Sequence, residues 1–524
     1  MVIVFSFSIS KSKKPSLIIY ISVDQMRADY MDRYDRYFHG GLNRLSQGIV
    51  FANADLNYAT SETGPGHATL GTGCYPYKSG IISNDWIDEK SMKDVYCVAD
   101  STAGKVDGIG GGFSPRNLQV TAIGDWLKRS SPDSKVITAS AKDRAAILMG
   151  GQHPDYAFWY SKNVGGFVTS DYYTNALPQY VKDFNASGWI EKNVPDVWTK
   201  SLPEKEYEKF GPDEFPAESK WGGNTSFPHT FAAGKKNEQI MGTPYGDKMI
   251  LDFGAEIASA EKLGQRGVTD ILCLSLSNCD YAGHAYGPDS HEVMDLLIKM
   301  DENLGRFFSA MDSLVGKDKY VVALSADHAV CPLPEFNALY RNIPAKRYIY
   351  ATEVRPKIDS LNSFLKKELN TSRDVVIKNS FINYIDAMRA GLDSVQIEQK
   401  VKAGLLSIDA YADVYFRREL LDRERSNRPF IEKYRNSYYA PRGDDFQLRV
   451  RENCIISSKP YGTTHGSPYV YDTHIPILFW YNGVIHSTIQ REVHSADISP
   501  TLAKYAGFES PKGIDGVVLP EVVR

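Results

Sequence analysis

Two kinds of apolar pattern alternate along the chain. Short unbroken runs rich in β-branched residues recur as "SLIIYISVD" (16–24), "DILCLSLSNCD" (270–280), "YVVALSADH" (320–328) and "HIPILFWYNG" (474–483). A strand that is apolar on both faces must be covered on both, which is the condition of a strand inside a parallel sheet. Between these runs lie stretches with apolar residues every three or four positions. "NLQVTAIGDWLKR" (117–129) is amphipathic. "KMILDFGAEIASAEKLG" (248–264) sets Met249, Ile250, Phe253, Ile257 and Leu263 ahead of a glycine stop. "HEVMDLLIKMDENLGRFFSAMDSLVG" (291–316) carries Met294, Leu297, Met300, Leu304, Phe307 and Met311, and "DISPTLAKYAG" (497–507) is a short helix ending in glycine. Strand and helix in alternation predict an α/β three-layer sandwich, a largely parallel central sheet flanked by helices.

Two stretches break this rhythm. Residues 160–245 are rich in aromatics, Pro, Asn and Gly, as in "DYYTNALPQY", and residues 348–449 are charged and mixed, as in "RRELLDRERSNR". Both read as insertions on loops of the sheet that form a cap, rather than as new sheet elements. The core is then divided into residues 1–159, 246–347 and 450–524. Loops at the carboxyl ends of parallel strands are where such folds place substrate sites. "GIGGGF" (108–113) lacks a P-loop lysine and does not directly follow a strand, so it reads as a mobile loop.

Composition adds little beyond exclusions. The chain has 524 residues and a formal net charge of −4, which argues against a nucleic-acid-wrapping surface. No run approaches the roughly 18 apolar residues of a membrane span. "MVIVFSFSIS" at the start is apolar but short and without a basic flank before it. It suits a signal-peptide remnant and an ordered leader equally. The cysteines at 74, 97, 273, 279, 331 and 454 form no CxxC pair and read mostly as buried small hydrophobes.

The candidate chemistry lies at the strand ends. Asp24 closes the first run. Asp280 ends the second, with His284 four residues on. Asp327 and His328 end the third, and His465 lies in "GTTHGSPY". Three Asp and three His beside sheet strands suit Zn²⁺ without thiols, and six ligands are enough for two metal ions with open positions. Asp24 alone would read as a turn former, whereas the D-x-x-x-H and D-H pairs after apolar strands are harder to dismiss. His39, His153, His229, His291, His474 and His486 read as ordinary hydrogen-bonded residues, and His67 as packed under a turn. In "ATSETGPGHATLGTG" (59–73) three hydroxyls precede a Gly-Pro-Gly turn. Thr63 stands at the start of the helix, where amide N–H groups favour an anion and a metal could activate the hydroxyl. Thr60 and Ser61 read as turn formers.

T-G-P-G-H at 63–67, "SNDW" at 83–86, "AKDR" at 141–144, "DYAGHAYGP", "ADH" and "THGSPYVYDTHIP" occur in this order from about residue 17 onward. Together they resemble the alkaline phosphatase superfamily, and within it the bacterial PafA-type alkaline phosphatases, which share the type I phosphodiesterase/nucleotide pyrophosphatase core. The resemblance implies two Zn²⁺ per chain. Asp24, Thr63, Asp327 and His328 would surround one, and Asp280, His284 and His465 the other. It also implies that Asn84, Lys142 and Arg144 contact the non-bridging phosphate oxygens, roles that the residues alone do not assign.

The implied reaction is hydrolysis of small phosphate monoesters through a phosphothreonine at Thr63, in a monomer exported to the periplasm or the medium. A phosphodiesterase or nucleotide pyrophosphatase using the same two-zinc site is the alternative, but that branch lacks the Lys-x-Arg pair. The sulfatase pattern C/S-x-P-x-R is not met, because Thr63 replaces its first residue and His67 stands where its Arg would be.

Overall fold

The computed structural model describes residues 14–378 and 380–523; the apolar leader lies outside the described residues. A nine-stranded sheet runs through the centre. Its strands in chain order are β1 (Leu17–Val23), β2 (Ile49–Phe51), β3 (Val136–Ser140), β4 (Tyr156–Ser161), β5 (Gly166–Val168), β6 (Asp270–Leu276), β7 (Tyr320–Ser325), β8 (Ile477–Tyr481) and β9 (Ser487–Ile489). The spatial order is β9-β2-β8-β7-β1-β6-β3-β4-β5. The central run β7-β1-β6-β3-β4 is parallel throughout. Antiparallel pairing enters at β8, which joins β7 and β2, and at the edge strand β5. Every residue of β1, β6 and β7 is buried, as unbroken apolar runs require.

Helices cover both faces. Tyr20 of β1 hydrogen-bonds Leu70 O of α1 (Thr63–Thr72), and Thr138 of β3, on the same face, bonds Ala146 O of α3 (Asp143–Gly150). Here α2 is the helix Ile123–Ser130. On the opposite face Leu274 of β6 packs against Gly254 of α4 (Pro244–Ala260), where a Cβ would lie 2.7 Å from its methyl group. The long α6 (His291–Leu314) lies against α4, and α7 (Ile498–Ala506) against α1 and α2. The three-layer α/β sandwich is therefore the architecture.

The two irregular stretches differ. Residues 166–168 add β5 to the sheet, contrary to the expectation that residues 160–245 hold no sheet element. The strand is only three residues long and lies within an aromatic-rich stretch, so alternation could not reveal it. Phe167, Val181, Trp198 and Ile240 of this stretch join the main core. Residues around 348–446 instead pack on their own apolar cluster, which includes Val354, Leu365, Val401 and Phe446. Five of the six cysteines are buried, Cys454 is half-buried, and none forms a disulfide.

Candidate active site

In-register strands bring the predicted acids together. Ser22 of β1 is level with Ser325 of β7 and Ser275 of β6. Two residues beyond Ser22 and Ser325 come Asp24 and Asp327. Asp280 follows β6 in the first turn of α5 (Asn278–Tyr286), and His284 lies one turn further on the same face. Asp24, Asp327 and His328 are completely buried, and Thr63 nearly so.

Glycines make this closeness possible. A Cβ on Gly66 would lie 2.4 Å from Asp327 O, so α1 can approach the end of β7 only with glycine there. Gly64 offers its backbone N–H to Asn84 Oδ1 at 2.7 Å.

Donor atoms converge in two groups, Asp24 with His67 and Asp327, and Asp280 with His284 and His465. Asp280 also joins Asp24 and His328 in a third group linking the two. Each expected histidine ligand is oriented by its Nδ1, which meets a backbone carbonyl: Thr463 O for His284 (2.8 Å), Ala329 O for His328 (2.9 Å) and Ser61 O for His465 (2.6 Å). With Nδ1 donating, Nε2 carries the free lone pair, which is the usual outer arrangement of a metal-binding imidazole. Those Nε2 atoms point inward. His328 Nε2 is 3.4 Å from Asp24 Oδ1, and His284 and His465 Nε2 are 3.2 and 3.6 Å from Asp280 Oδ1.

Asp24 Oδ1 and His328 Nε2, both buried, face each other across 3.4 Å with neither in a hydrogen bond, while Asp24 Oδ2 meets Lys142 Nζ at 2.6 Å and Asp327 Oδ2 meets His67 Nδ1 at 3.2 Å. A buried carboxylate oxygen and an imidazole nitrogen facing each other without a hydrogen bond fit a divalent cation, and a mixed Asp/His set without thiolate fits zinc. Burial, with the Asp327 charge beside it, pushes Asp24 well above the usual carboxylate range. Burial drives His328 down to about 3, so its imidazole is neutral, the form that binds metal. Burial opposes the charge of Asp280, but Lys142 and His284 overcome it and hold that carboxyl well below the usual range.

The basic residues meet at Thr63. Lys142 Nζ lies 2.6 Å from both Asp24 and Asp280 and 3.4 Å from Thr63 Oγ1. Arg144 Nη2 is 3.3 Å from the same hydroxyl, and its Nη1 is 3.3 Å from Tyr96 Oη. Asn84 is fixed by Glu62, whose Oε2 accepts its backbone N–H at 2.7 Å. With Asn84 Oδ1 occupied by Gly64, its NH₂ group is left to donate. Beside His284 a cavity of about 440 Å³ opens, bordered by Tyr281, Lys459, Tyr461 and Thr464.

Sequence reasoning missed three residues here. Ser61 is a clamp as well as a turn residue. Its carbonyl orients His465, and its Oγ bonds Gly466 N (3.1 Å) and Ser467 O (3.0 Å). Glu62 holds Asn84, and Gln25 touches two of the acids; neither residue type carries a signal in sequence. Of the remaining histidines, His67 packs under the turn as expected, its Nδ1 2.9 Å from Thr63 O and its Nε2 2.9 Å from Ser275 Oγ. His229 pairs with Glu292, His291 with Gly211 O and His474 with Ala52 O.

Comparison with known proteins gives the family. The chain is 34% identical to alkaline phosphatase PhoV of Synechococcus elongatus, over 98% of this chain and 93% of that one. It is 31% identical to alkaline phosphatase PafA of Elizabethkingia meningoseptica, over 97% of this chain and 95% of that one. A crystal structure of wild type alkaline phosphatase PafA superposes with a TM-score of 0.90 at 30% identity, covering 98% of this chain and 99% of that chain. Residues 18–433 match the family described as type I phosphodiesterase / nucleotide pyrophosphatase, and the chain, a member of that family, falls with its alkaline phosphatases.

Proposed function

We propose that this protein is a zinc-dependent alkaline phosphatase that hydrolyses phosphate monoesters through a phosphothreonine at Thr63. The observation that carries this reading is the convergence of Lys142 Nζ and Arg144 Nη2 on the Thr63 hydroxyl, at 3.4 and 3.3 Å. A monoester presents three charged oxygens to such a pair, whereas a diester presents two and a bulky group. Two Zn²⁺ ions, one held by Asp24, Thr63, Asp327 and His328 and one by Asp280, His284 and His465, would supply charge for the oxygens that gain it and lower the pKa of a hydroxyl or water.

The chain's own residues do the rest. Thr63 Oγ1 attacks phosphorus in line, and the bond to the alcohol oxygen breaks as the new bond forms. The alcohol leaves from the opposite side. Water then attacks the phosphothreonine, phosphate departs and the Thr63 hydroxyl is restored. Arg144 supplies a planar fork for phosphate oxygens, Lys142 a compact charge and Asn84 an amide donor, so positioning and charge stabilisation dominate. No helix among the described residues is long and apolar enough to cross a membrane. Export to the periplasm or medium as a monomer belongs to the same reading, and cell fractionation with size-exclusion chromatography checks it.

The deciding experiment measures kcat/KM on p-nitrophenyl phosphate and bis-p-nitrophenyl phosphate for the wild type and for Lys142→Ala with Arg144→Ala. Each contact is expected to be worth on the order of 10²-fold for the monoester, by analogy with oxyanion-hole donors. The diester loss is expected to be much smaller, because Thr63 and the ligands serve both substrates. Equal losses would favour the phosphodiesterase alternative.

A further inference from the structure

We infer that Gln25 is the positioning residue that fixes the two halves of the site to each other, holding Asp327 through its backbone and Asp280 through its side chain. The inference rests on reading Asp327 and Asp280 as ligands of two separate metal ions. Gln25 directly follows Asp24 at the end of β1 and is fully buried. Its φ of +68° lies in the left-handed region, which a residue with a Cβ occupies at a cost.

That turn aims its backbone N–H at Asp327 Oδ1 (3.1 Å) and lets its Nε2 reach Asp280 Oδ1 (2.7 Å). The latter oxygen is the one that faces His284 and His465 Nε2. A carboxylate only accepts, so the amide nitrogen must face Asp280 and Oε1 must face away. Oε1 is buried without a partner, and a Cβ on Gly283 would lie 1.8 Å from it. The glycine inside D-Y-A-G-H thus makes room for Gln25. If the chain needed only a turn after Asp24, glycine would serve with less strain and no orphaned oxygen. The side chain is explained by its bond to Asp280.

The test is zinc affinity of the full chain, stripped of metal and titrated in competition with a chromogenic chelator, with His284→Ala as the reference for loss of the open half. Gln25→Gly relieves the positive φ and keeps the N–H on Asp327. It is expected to hold the first ion as the wild type does and the second about 10- to 100-fold more weakly, the usual effect of removing an outer partner of a ligand. Gly283→Ala, which leaves Gln25 and every ligand in the chain, is expected to shift the same ion in the same direction. Circular dichroism of metal-free Gln25→Gly should match that of the wild type, which separates loss of the Asp280 bond from loss of the fold. Two ions bound as tightly as in the wild type, or both weakened by one factor, would overturn the inference. A wild type that bound fewer than two ions would refute the two-metal reading itself, and this inference with it.

Discussion

The two halves of the site use the same side-chain chemistry in different surroundings. In the closed half, Asp24, Asp327 and His328 have no exposed surface, Thr63 is 1% exposed, and Asp24 Oδ1 and His328 Nε2 face each other without a hydrogen bond. In the open half both Asp280 oxygens are engaged, by Gln25 and by Lys142, and the His284 side chain is 37% exposed beside a cavity. On the proposed two-metal reading the closed half, buried throughout, depends on its cation for stability, whereas the open half has room to exchange one ligand for a substrate oxygen. On that reading the arrangement would separate holding the nucleophile from receiving the leaving group.

The sharpest way to break this division is at Thr63. Thr63→Ala is expected to lower kcat by about 10⁴-fold or more, as loss of a covalent nucleophile does in other hydrolases, with the fold intact. Thr63→Ser is expected to retain part of the activity. Trapping the phosphorylated enzyme in acid and sequencing the labelled peptide checks the assignment. Label on Thr60 or Ser61 would move the nucleophile out of the closed half.

Metal removal is the next largest effect and distinguishes the halves directly. Chelation is expected to proceed in two steps, activity falling with the more accessible open-half ion and melting temperature falling with the second. Occupancy at about 1,000 times Kd stabilises by about 4 kcal/mol, so the second step should be plain in calorimetry. Zn²⁺ should reverse both. Loss of activity and stability in one step would show that the halves do not differ as their burial implies, and fewer than two zinc equivalents in active protein would rule out the pair.

These contrasts were partly legible in the sequence. Asp280 and Asp327 stood out because each comes with a histidine after an apolar run, whereas Asp24 alone read as a turn former and gained its meaning only from the others. The T-G-P-G-H stretch was legible as a turn into a helix, but not the close approach of Gly66 to Asp327 that the structure adds. The long helix was predicted over 291–316 and runs His291–Leu314. What periodicity could not show was pairing: that β1 lies between β6 and β7, or that β8 runs antiparallel. Lys142 and Arg144 carried no signal of their own, because a basic turn is ordinary until the sheet sets it beside Asp24. Gln25 and Ser61 act through one backbone turn and one carbonyl, which residue type does not encode.

The smallest predicted effect concerns the support of the open half. Asp247 lies on α4, and its Oδ1 accepts from Asn278 N (3.1 Å) and Nδ2 (2.7 Å) at the start of the helix that carries Asp280 and His284. It has no exposed surface, and its Oδ2 has no hydrogen-bond partner. Burial pushes its carboxyl up to about 7, with the Asn278 bonds pulling the other way. In the closed half, by contrast, the neighbouring imidazoles outweigh burial, among them His67, whose Nδ1 lies 3.2 Å from Asp327 Oδ2, and Asp327 is held well below the usual range. An unfolded Asp titrates near 3.9, so folded Asp247 keeps its proton at a pH where the unfolded chain has lost it. Its contribution to stability is full below about pH 4 and is lost as pH rises to about 7. Asp247→Asn keeps the acceptor and removes the charge. Relative to the wild type it should gain about 2–3 kcal/mol between pH 5 and pH 8, at about 1.36 kcal/mol per unit, and gain little beyond that. Calorimetry of both proteins at the two pH values checks this, the comparison cancelling the titration of all other groups. A gain that is the same at pH 5 and pH 8 would mean that Asp247 does not titrate in this window, and that the support of the open half is as fixed as that of the closed half.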